Sequence, residues 1–215
     1  MPSVEFRLYL VSDRGRTGGR PLTDLIALAS RAGLPAIQIR ERDLPTRQLA
    51  ALVRTIRTAV AGFPTRVLVN DRADLALALG ADGVHLRANS LPTGRVRTMI
   101  GPEHLLGVST HSQEEVRRAQ DEGADFVVFG PVYETPSKHL FGRPQGLGML
   151  AQVCEIARVP VFAIGGVTPE RVAEVRQVGA HGVAVASSIL SAPDVPAAVR
   201  EFLHAWGDDR LPWKA

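Results

Sequence analysis

A turn motif, Gly-Ala followed by Asp or His, occurs three times and each time opens an apolar run. The copies are Gly80-Ala81-Asp82 before Gly83-Val84-His85-Leu86, Gly123-Ala124-Asp125 before Phe126-Val127-Val128-Phe129, and Gly179-Ala180-His181 before Gly182-Val183-Ala184-Val185. A degenerate copy, Gly33-Leu34-Pro35, precedes Ala36-Ile37-Gln38-Ile39. The four starts lie 47, 43 and 56 residues apart, roughly the length of two strand–helix units. A glycine closing a helix, followed by a short continuous apolar run, predicts a strand buried on both faces, as in parallel sheets. Each copy therefore marks every second strand of a repeating β/α chain. Such a fold carries its chemistry just past the C-terminal ends of its strands.

Between the copies the pattern is filled in by further apolar, β-branched runs. The predicted strands are 6–11, 36–39, 66–69, 83–86, 105–108, 126–129, 161–164 and 182–185. The predicted helices are 22–31, 46–60, 72–79, 93–100, 113–121, 148–157, 169–177 and 195–205. Asp71, Ser112 and Thr168 stand where helix N-caps belong, with Pro169 at a first helical position. Eight strands alternating with eight helices predict a (β/α)8 TIM barrel, a single domain over residues 1–206 with a polar tail at 207–215. No Gly-x-Gly-x-x-Gly follows the first strand, which argues against a dinucleotide fold. Two connections exceed the usual length. They are 12–21 and 134–145, and the second carries Lys138, His139 and Arg143, as expected of a lid.

Composition narrows the function classes. The chain has 215 residues, 45% of them apolar, enough for one buried core. Its 25 basic and 22 acidic residues are spread along the chain, whereas nucleic-acid binders cluster their positive charge. No run reaches the ~18 apolar residues of a membrane span, and residues 1–7 do not resemble a signal peptide. The single cysteine, Cys154, cannot form an internal disulfide and reads as a structural thiol on a helix. A cytoplasmic protein with small-molecule partners is expected, with no nucleic-acid or membrane partner. A homo-oligomer is compatible with the sequence.

In a barrel the strand ends share one mouth, so a roll of them is a statement about space. Gly165-Gly166 and Ser187-Ser188 follow the seventh and eighth predicted strands, and the serines open what reads as the last helix. Loops at these two positions hold phosphate in many barrels through backbone donors. Arg40, Arg42 and Lys138 add positive charge without an equal number of nearby carboxylates, which fits a second and more highly charged anion such as a diphosphate. Asp71 beside Asn70 is a candidate Mg²⁺ ligand, with a helix cap as the alternative. His85 lies within a strand and reads as a barrel-interior histidine. His111 and His139 are loop residues, and Glu41 is either a base or an ion-paired structural carboxylate.

At these residues the chain resembles the thiamine phosphate synthases and their relatives the thiazole tautomerases. The resemblance runs from Leu8 to Ile189 through Gln38-Ile39-Arg40-Glu41-Arg42, Asn70-Asp71-Arg72, Gly80 to Leu86, Gly107-Val108-Ser109-Thr110-His111-Ser112, Phe129-Gly130-Pro131-Val132-Tyr133, Thr135-Pro136-Ser137-Lys138 and Ala163-Ile164-Gly165-Gly166-Val167. It implies a transferase that joins hydroxymethylpyrimidine diphosphate to a thiazole phosphate, giving thiamine phosphate and diphosphate, assisted by Mg²⁺. It further implies that Arg40, Arg42, Asn70 and Lys138 hold the diphosphate and that Asp71 binds Mg²⁺. Gln38 and Ser109 would then meet the pyrimidine substrate, and Thr135, Ser137, Gly166 and Ser187 the thiazole phosphate, with Gly165 and Ser188 beside them.

Two positions depart from the pattern. The family's Gly-Gln-Glu-Asp segment, whose Asp is a second Mg²⁺ ligand, aligns with Arg87-Ala88-Asn89-Ser90, and the usual Lys of the second-strand motif is Arg42. Arg87 is accordingly a candidate to supply positive charge to the diphosphate. The tautomerase's catalytic His corresponds to Pro131, so a tautomerase would need His139 or His111 as its base. Three readings stay open on sequence: the synthase, a tautomerase-like paralogue of the thiamine pathway, and a non-catalytic sensor of a phosphate ligand.

Overall fold

The computed structural model describes residues 3–134 and 144–207. In chain order it contains β1 (Leu8–Val11), α1 (Leu22–Arg31), β2 (Ala36–Ile39), α2 (Thr46–Ala59), β3 (Arg66–Asn70), α3 (Ala73–Ala78), β4 (Gly83–Leu86), α4 (Thr93–Ile100), β5 (Leu105–Thr110), α5 (Gln113–Asp121), β6 (Phe126–Phe129), α6 (Gly146–Ile156), β7 (Val161–Ile164), α7 (Val172–Gln177), β8 (Gly182–Val185), α8 (Ser187–Leu190) and α9 (Val195–Trp206). Each strand pairs in parallel with the next, and β1 also pairs with β8, so the sheet closes into a barrel. Among the described residues no helix is long and apolar enough to cross a membrane.

The repeated motif builds the N-terminal rim of this barrel. Gly33, Gly80, Gly123 and Gly179 all have positive φ, between 64° and 100°, and end the helices that precede β2, β4, β6 and β8. The third motif residue then stitches its strand to the preceding one. Asp82 N–H donates to the Val67 carbonyl while its carboxylate accepts the Val67 N–H, each at 2.8 Å. Asp125 does the same with Leu106, at 2.8 Å and 2.7 Å. Each Asp acts as one further rung of the ladder, using its side chain where a backbone carbonyl would stand. In the third copy His181 N–H donates to Val161, and its ring nitrogens contact Arg7 and the Val4 carbonyl.

Two apolar layers follow from the alternation along each strand. Side chains facing out pack under the helices in one large cluster that includes Ile37, Val67, Val84, Val127 and Val183. Side chains facing in form a smaller cluster of Tyr9, Leu68, Leu105, Phe126, Phe162 and Ala184, with Phe6 closing the N-terminal end. Phe6 stands edge-on to Phe126 at 5.5 Å between ring centres. Gly107 leaves the room these rings need, since a Cβ there would come within 2.4 Å of Phe126 and 2.6 Å of His85.

Several sequence expectations are corrected at their edges. The first strand begins at Leu8 rather than residue 6, because Phe6 turns inward to plug the barrel. Asp71 does not cap α3: the helix begins at Ala73 with Arg72 preceding it, and Asp71 sits in the left-handed region at φ 57°. Ser112 does cap α5, accepting from Glu115 N–H at 3.2 Å. Thr168 holds its place before Pro169, but its side chain makes no capping bond and a 3-10 turn precedes α7. Ser187-Ser188 opens the separate short α8 rather than the last helix. α9 starts afresh beyond Pro193, with Asp194 accepting from Ala197 N–H at 2.9 Å. Cys154 is half-buried, and burial pushes its thiol up to about 11, as suits a structural thiol.

The stitch at Asp125 is the most buried of its kind. Its side chain is 3% exposed and pairs at 2.5 Å with Arg97, whose remaining donors go to the carbonyls of Gly101, His104 and Gly123. Removing one partner leaves a buried charge without its counterpart. Asp125→Ala is therefore expected to cost about 3 kcal/mol or more of unfolding free energy in urea titrations. Asp82→Ala, whose partner Arg66 is 62% exposed, should cost about 1 kcal/mol.

Candidate active site

The interior of the barrel changes character toward the C-terminal mouth. On β2 to β5 the uppermost inward positions are Gln38, Asn70, His85 and Ser109, all polar. On β6, β7 and β1 the corresponding positions are Val128, Ile164 and Val11. Gln38 Nε2 donates to Asn70 Oδ1 at 2.8 Å, and Asn70 Nδ2 donates to Asp71 Oδ2 at 3.0 Å. His85 lies between Ser109 Oγ, 2.9 Å from Nε2, and the Tyr9 hydroxyl, 3.3 Å from Nδ1. It is the barrel-interior histidine expected from sequence: burial, reinforced by the nearby charge of Arg40, pushes its pKa down to about 3, against the opposing pull of Asp71.

Asp71 is the hub of the polar half. The left-handed conformation directs its carboxylate across to the loop after β4. There Oδ2 accepts from Arg87 Nε, and Oδ1 accepts from Ser90 Oγ and, at 3.2 Å, from Arg87 N–H. Ser90 Oγ in turn accepts from Arg87 N–H at 2.9 Å. Asp71 and Arg87 thus form an ion pair that closes one side of the mouth.

Positive charge gathers beside this pair. Arg40 is half-buried and Arg42 exposed, and among the described residues neither has a carboxylate within ion-pair distance. Burial lowers the Arg40 pKa first, and the like charges of Arg42 and Arg87 lower it further, against Asp13 and Glu41. The charges of Arg42 and of the Asp71-paired Arg87 are thus felt at Arg40, and an anion there would relieve them. Glu41, flanked by Arg40 and Arg42, pairs with neither. It is buried and accepts from Ser12 Oγ at 2.6 Å and from Arg14 Nε at 3.1 Å. Ser12 Oγ accepts from Arg40 N–H at 2.8 Å, so this clasp holds the Arg40 backbone. Ser12 and Arg14 were not among the candidates from sequence, since only the register of β1 on β2 brings them to Glu41.

On the opposite rim, Gly165 and Gly166 have φ of 98° and 65°. A Cβ at Gly165 would lie 2.6 Å from Pro131, and one at Gly166 2.6 Å from the Glu134 carbonyl. These glycines thus admit the chain leaving β6, and Arg171 braces it by donating to the Gly166 carbonyl at 2.6 Å and stacking on Tyr133. Ser188 Oγ donates to the Val167 carbonyl at 2.9 Å and ties the two loops together, whereas Ser187 is exposed. His111 Nδ1 contacts the Gly130 carbonyl at 2.5 Å. Thr135, Ser137, Lys138 and His139 lie outside the described residues, as does most of the 134–145 lid candidate and the tail beyond Gly207.

The environment of His85 has a consequence for stability. Its folded pKa lies below the ordinary 6.5, so the unfolded chain takes up a proton there that the folded chain refuses. Stability contributed above about pH 6.5 is lost as pH falls from that value toward 3, and His181, pushed down to about 4 by burial and Arg7, acts in the same direction. Unfolding free energy should drop by about 1 to 2 kcal/mol between about pH 7.5 and pH 5 on account of His85. His85→Gln, whatever its cost at the higher pH, should lose less over that interval in urea titrations.

A family model described as thiamine monophosphate synthase matches residues 8–189. A thiamine-phosphate synthase of Roseiflexus sp. (strain RS-1) is 44% identical over 206 residues, covering 95% of this chain and 86% of its own. One from Moorella thermoacetica is 40% identical over 196 residues, covering 91% and 93%. Among solved structures, the thiamine phosphate pyrophosphorylase of Pyrococcus furiosus superposes with a TM-score of 0.84 at 32% identity, covering 94% of this chain and 96% of its own. By its match over residues 8–189 and its identity with these synthases, this chain belongs to the thiamine monophosphate synthase family.

Proposed function

We propose that the protein is a thiamine phosphate synthase, a transferase that joins a pyrimidinylmethyl diphosphate to a thiazole phosphate and releases diphosphate. The observation that carries this reading is the convergence of Arg40, Arg42 and Arg87 on one side of the mouth, above the buried Gln38–Asn70 pair. In the reaction the bond between the pyrimidine methylene carbon and the diphosphate oxygen breaks, and its electron pair leaves with the diphosphate. The thiazole nitrogen then gives its lone pair to the methylene carbon, forming the new C–N bond. No proton has to move, so the site needs charge stabilisation of a leaving group and no strong base. This agrees with a mouth whose barrel-interior histidine is neutral and hydrogen-bonded to hydroxyls. Pro131, where a tautomerase carries its His, points the same way.

The remaining roles follow from the resemblance. Gln38, Asn70 and Ser109 would contact the pyrimidine diphosphate, with Lys138 adding a further charge. Gly165, Gly166, Ser187 and Ser188, with Thr135 and Ser137, would surround the thiazole phosphate. The apolar positions Val128, Ile164 and Val11 suit the ring systems between the two anions. A cytoplasmic, disulfide-free enzyme belongs to the same reading. Mg²⁺ is a different matter. Among the described residues no group of three or more His, Cys, Asp or Glu side chains could hold a metal ion. Asp71, the one acidic ligand implied, already accepts from Arg87, Ser90 and Asn70. The residues present do not fit a resident Mg²⁺ site.

The test is direct. Purified protein given both substrates should release diphosphate and form thiamine phosphate. Arg40→Ala should lower kcat/KM by about 100-fold, the scale of losing one stabiliser of developing negative charge, with an unchanged melting temperature. Tight binding of thiazole phosphate without any diphosphate release would favour a phosphate-ligand sensor instead.

A further inference from the structure

Asp71 has no lone pair to spare. A carboxylate offers about four acceptor directions, and four contacts from three neighbouring residues fill them: Asn70 Nδ2 and Arg87 Nε on Oδ2, Ser90 Oγ and Arg87 N–H on Oδ1. A divalent cation would have to break one of these and then sit against a guanidinium. Ser90 is committed as well, giving its proton to Asp71 and accepting the Arg87 N–H.

Arg87 is differently placed. Its Nε is spent on Asp71, while its two terminal amino groups donate to no described residue. Its side chain is 39% exposed. Its charge is felt at Arg40, which puts it in the same anion field. The exchange also conserves charge. Two carboxylates around a divalent ion are neutral together, and so are one carboxylate and one guanidinium.

We infer that Arg87, oriented by Asp71 and Ser90, is the cation that meets the diphosphate leaving group, so that this chain binds and expels diphosphate without a divalent metal. The substrate named here rests on the synthase reading. A guanidinium offers paired N–H groups matched to phosphate oxygens. Asp71 is then a positioning residue, turning the guanidinium toward the mouth.

Calorimetric titration of inorganic diphosphate into the full-length protein decides the point, once in EDTA and once with Mg²⁺ in excess. The affinities should agree within about threefold, and Arg87→Ala should weaken both by about tenfold or more, the scale of a charged hydrogen bond. Arg87→Lys should recover part of the loss, which separates charge from damage to the fold, and thermal melting of each variant controls for folding. Turnover of the unaltered protein should persist in EDTA at a third or more of its rate with Mg²⁺. Diphosphate binding only in the presence of Mg²⁺, or affinity unmoved by Arg87→Ala, overturns the inference. Absence of turnover in both buffers would remove the synthase reading alone, because the titrations would still decide what binds diphosphate.

Discussion

Closure of the barrel depends on strand ladders that start at the right height. Asp82 and Asp125 set that height for β4 and β6 by accepting from the strand before them with their own side chains. With each start pinned, the inward positions at the far end are determined by register. Val11 stands beside Gln38, Gln38 beside Leu68, Asn70 beside His85, and Ser109 beside Val128. A slip of one residue would exchange inward and outward faces and bury the charged rim under the helices. The apolar lower layer of Phe6, Tyr9, Phe126 and Phe162 leaves no room for such a slip.

The same chemical pair, an aspartate and an arginine, is used at both ends of the barrel to different purpose. At the N-terminal rim Arg97 is 15% exposed and gives its remaining donors to backbone carbonyls, so its charge is consumed within the fold. At the mouth Arg87 gives its Nε to Asp71, and its terminal amino groups donate to no described residue. Burial and the supply of nearby carbonyls separate a spent guanidinium from one with donors to spare, not the identity of the two residues. Asp71 can serve the mouth because it leaves the helical path: at φ 57° it cannot begin α3, and its carboxylate meets a loop sixteen residues further along the chain.

The contrast explains what could be read in the residues beforehand. The four glycine turns and their apolar runs carried the strand positions, because helix end, tight turn and buried strand are local and each leaves a mark in composition. Local reasoning failed where a partner comes from another strand. Glu41 has an arginine on either side, yet alternation along the chain turns it to Arg14 and Ser12 on the neighbouring connection. Asp71 followed by a helical stretch looked like a cap, and only the register of β3 on β4 brings it to Arg87 and Ser90. Gly165 and Gly166 read from sequence as a place where backbone N–H groups approach a phosphate. That the approaching group is the chain leaving β6 was not legible there, since Pro131 and Glu134 are more than thirty residues away in sequence.

The mouth that results is asymmetric, and the asymmetry bears on mechanism. Amide, hydroxyl and guanidinium groups line the side of β2 to β5, while valine and isoleucine line β6, β7 and β1. An anionic leaving group on the first side and flat rings on the second would place the breaking bond at the boundary, where a developing carbocation faces few dipoles able to capture it. Water is the competing nucleophile in the proposed reaction, and an apolar half would exclude it. The buried histidine is held neutral across neutral pH by its surroundings. That suits a reaction driven by departure of an anion rather than by transfer of a proton.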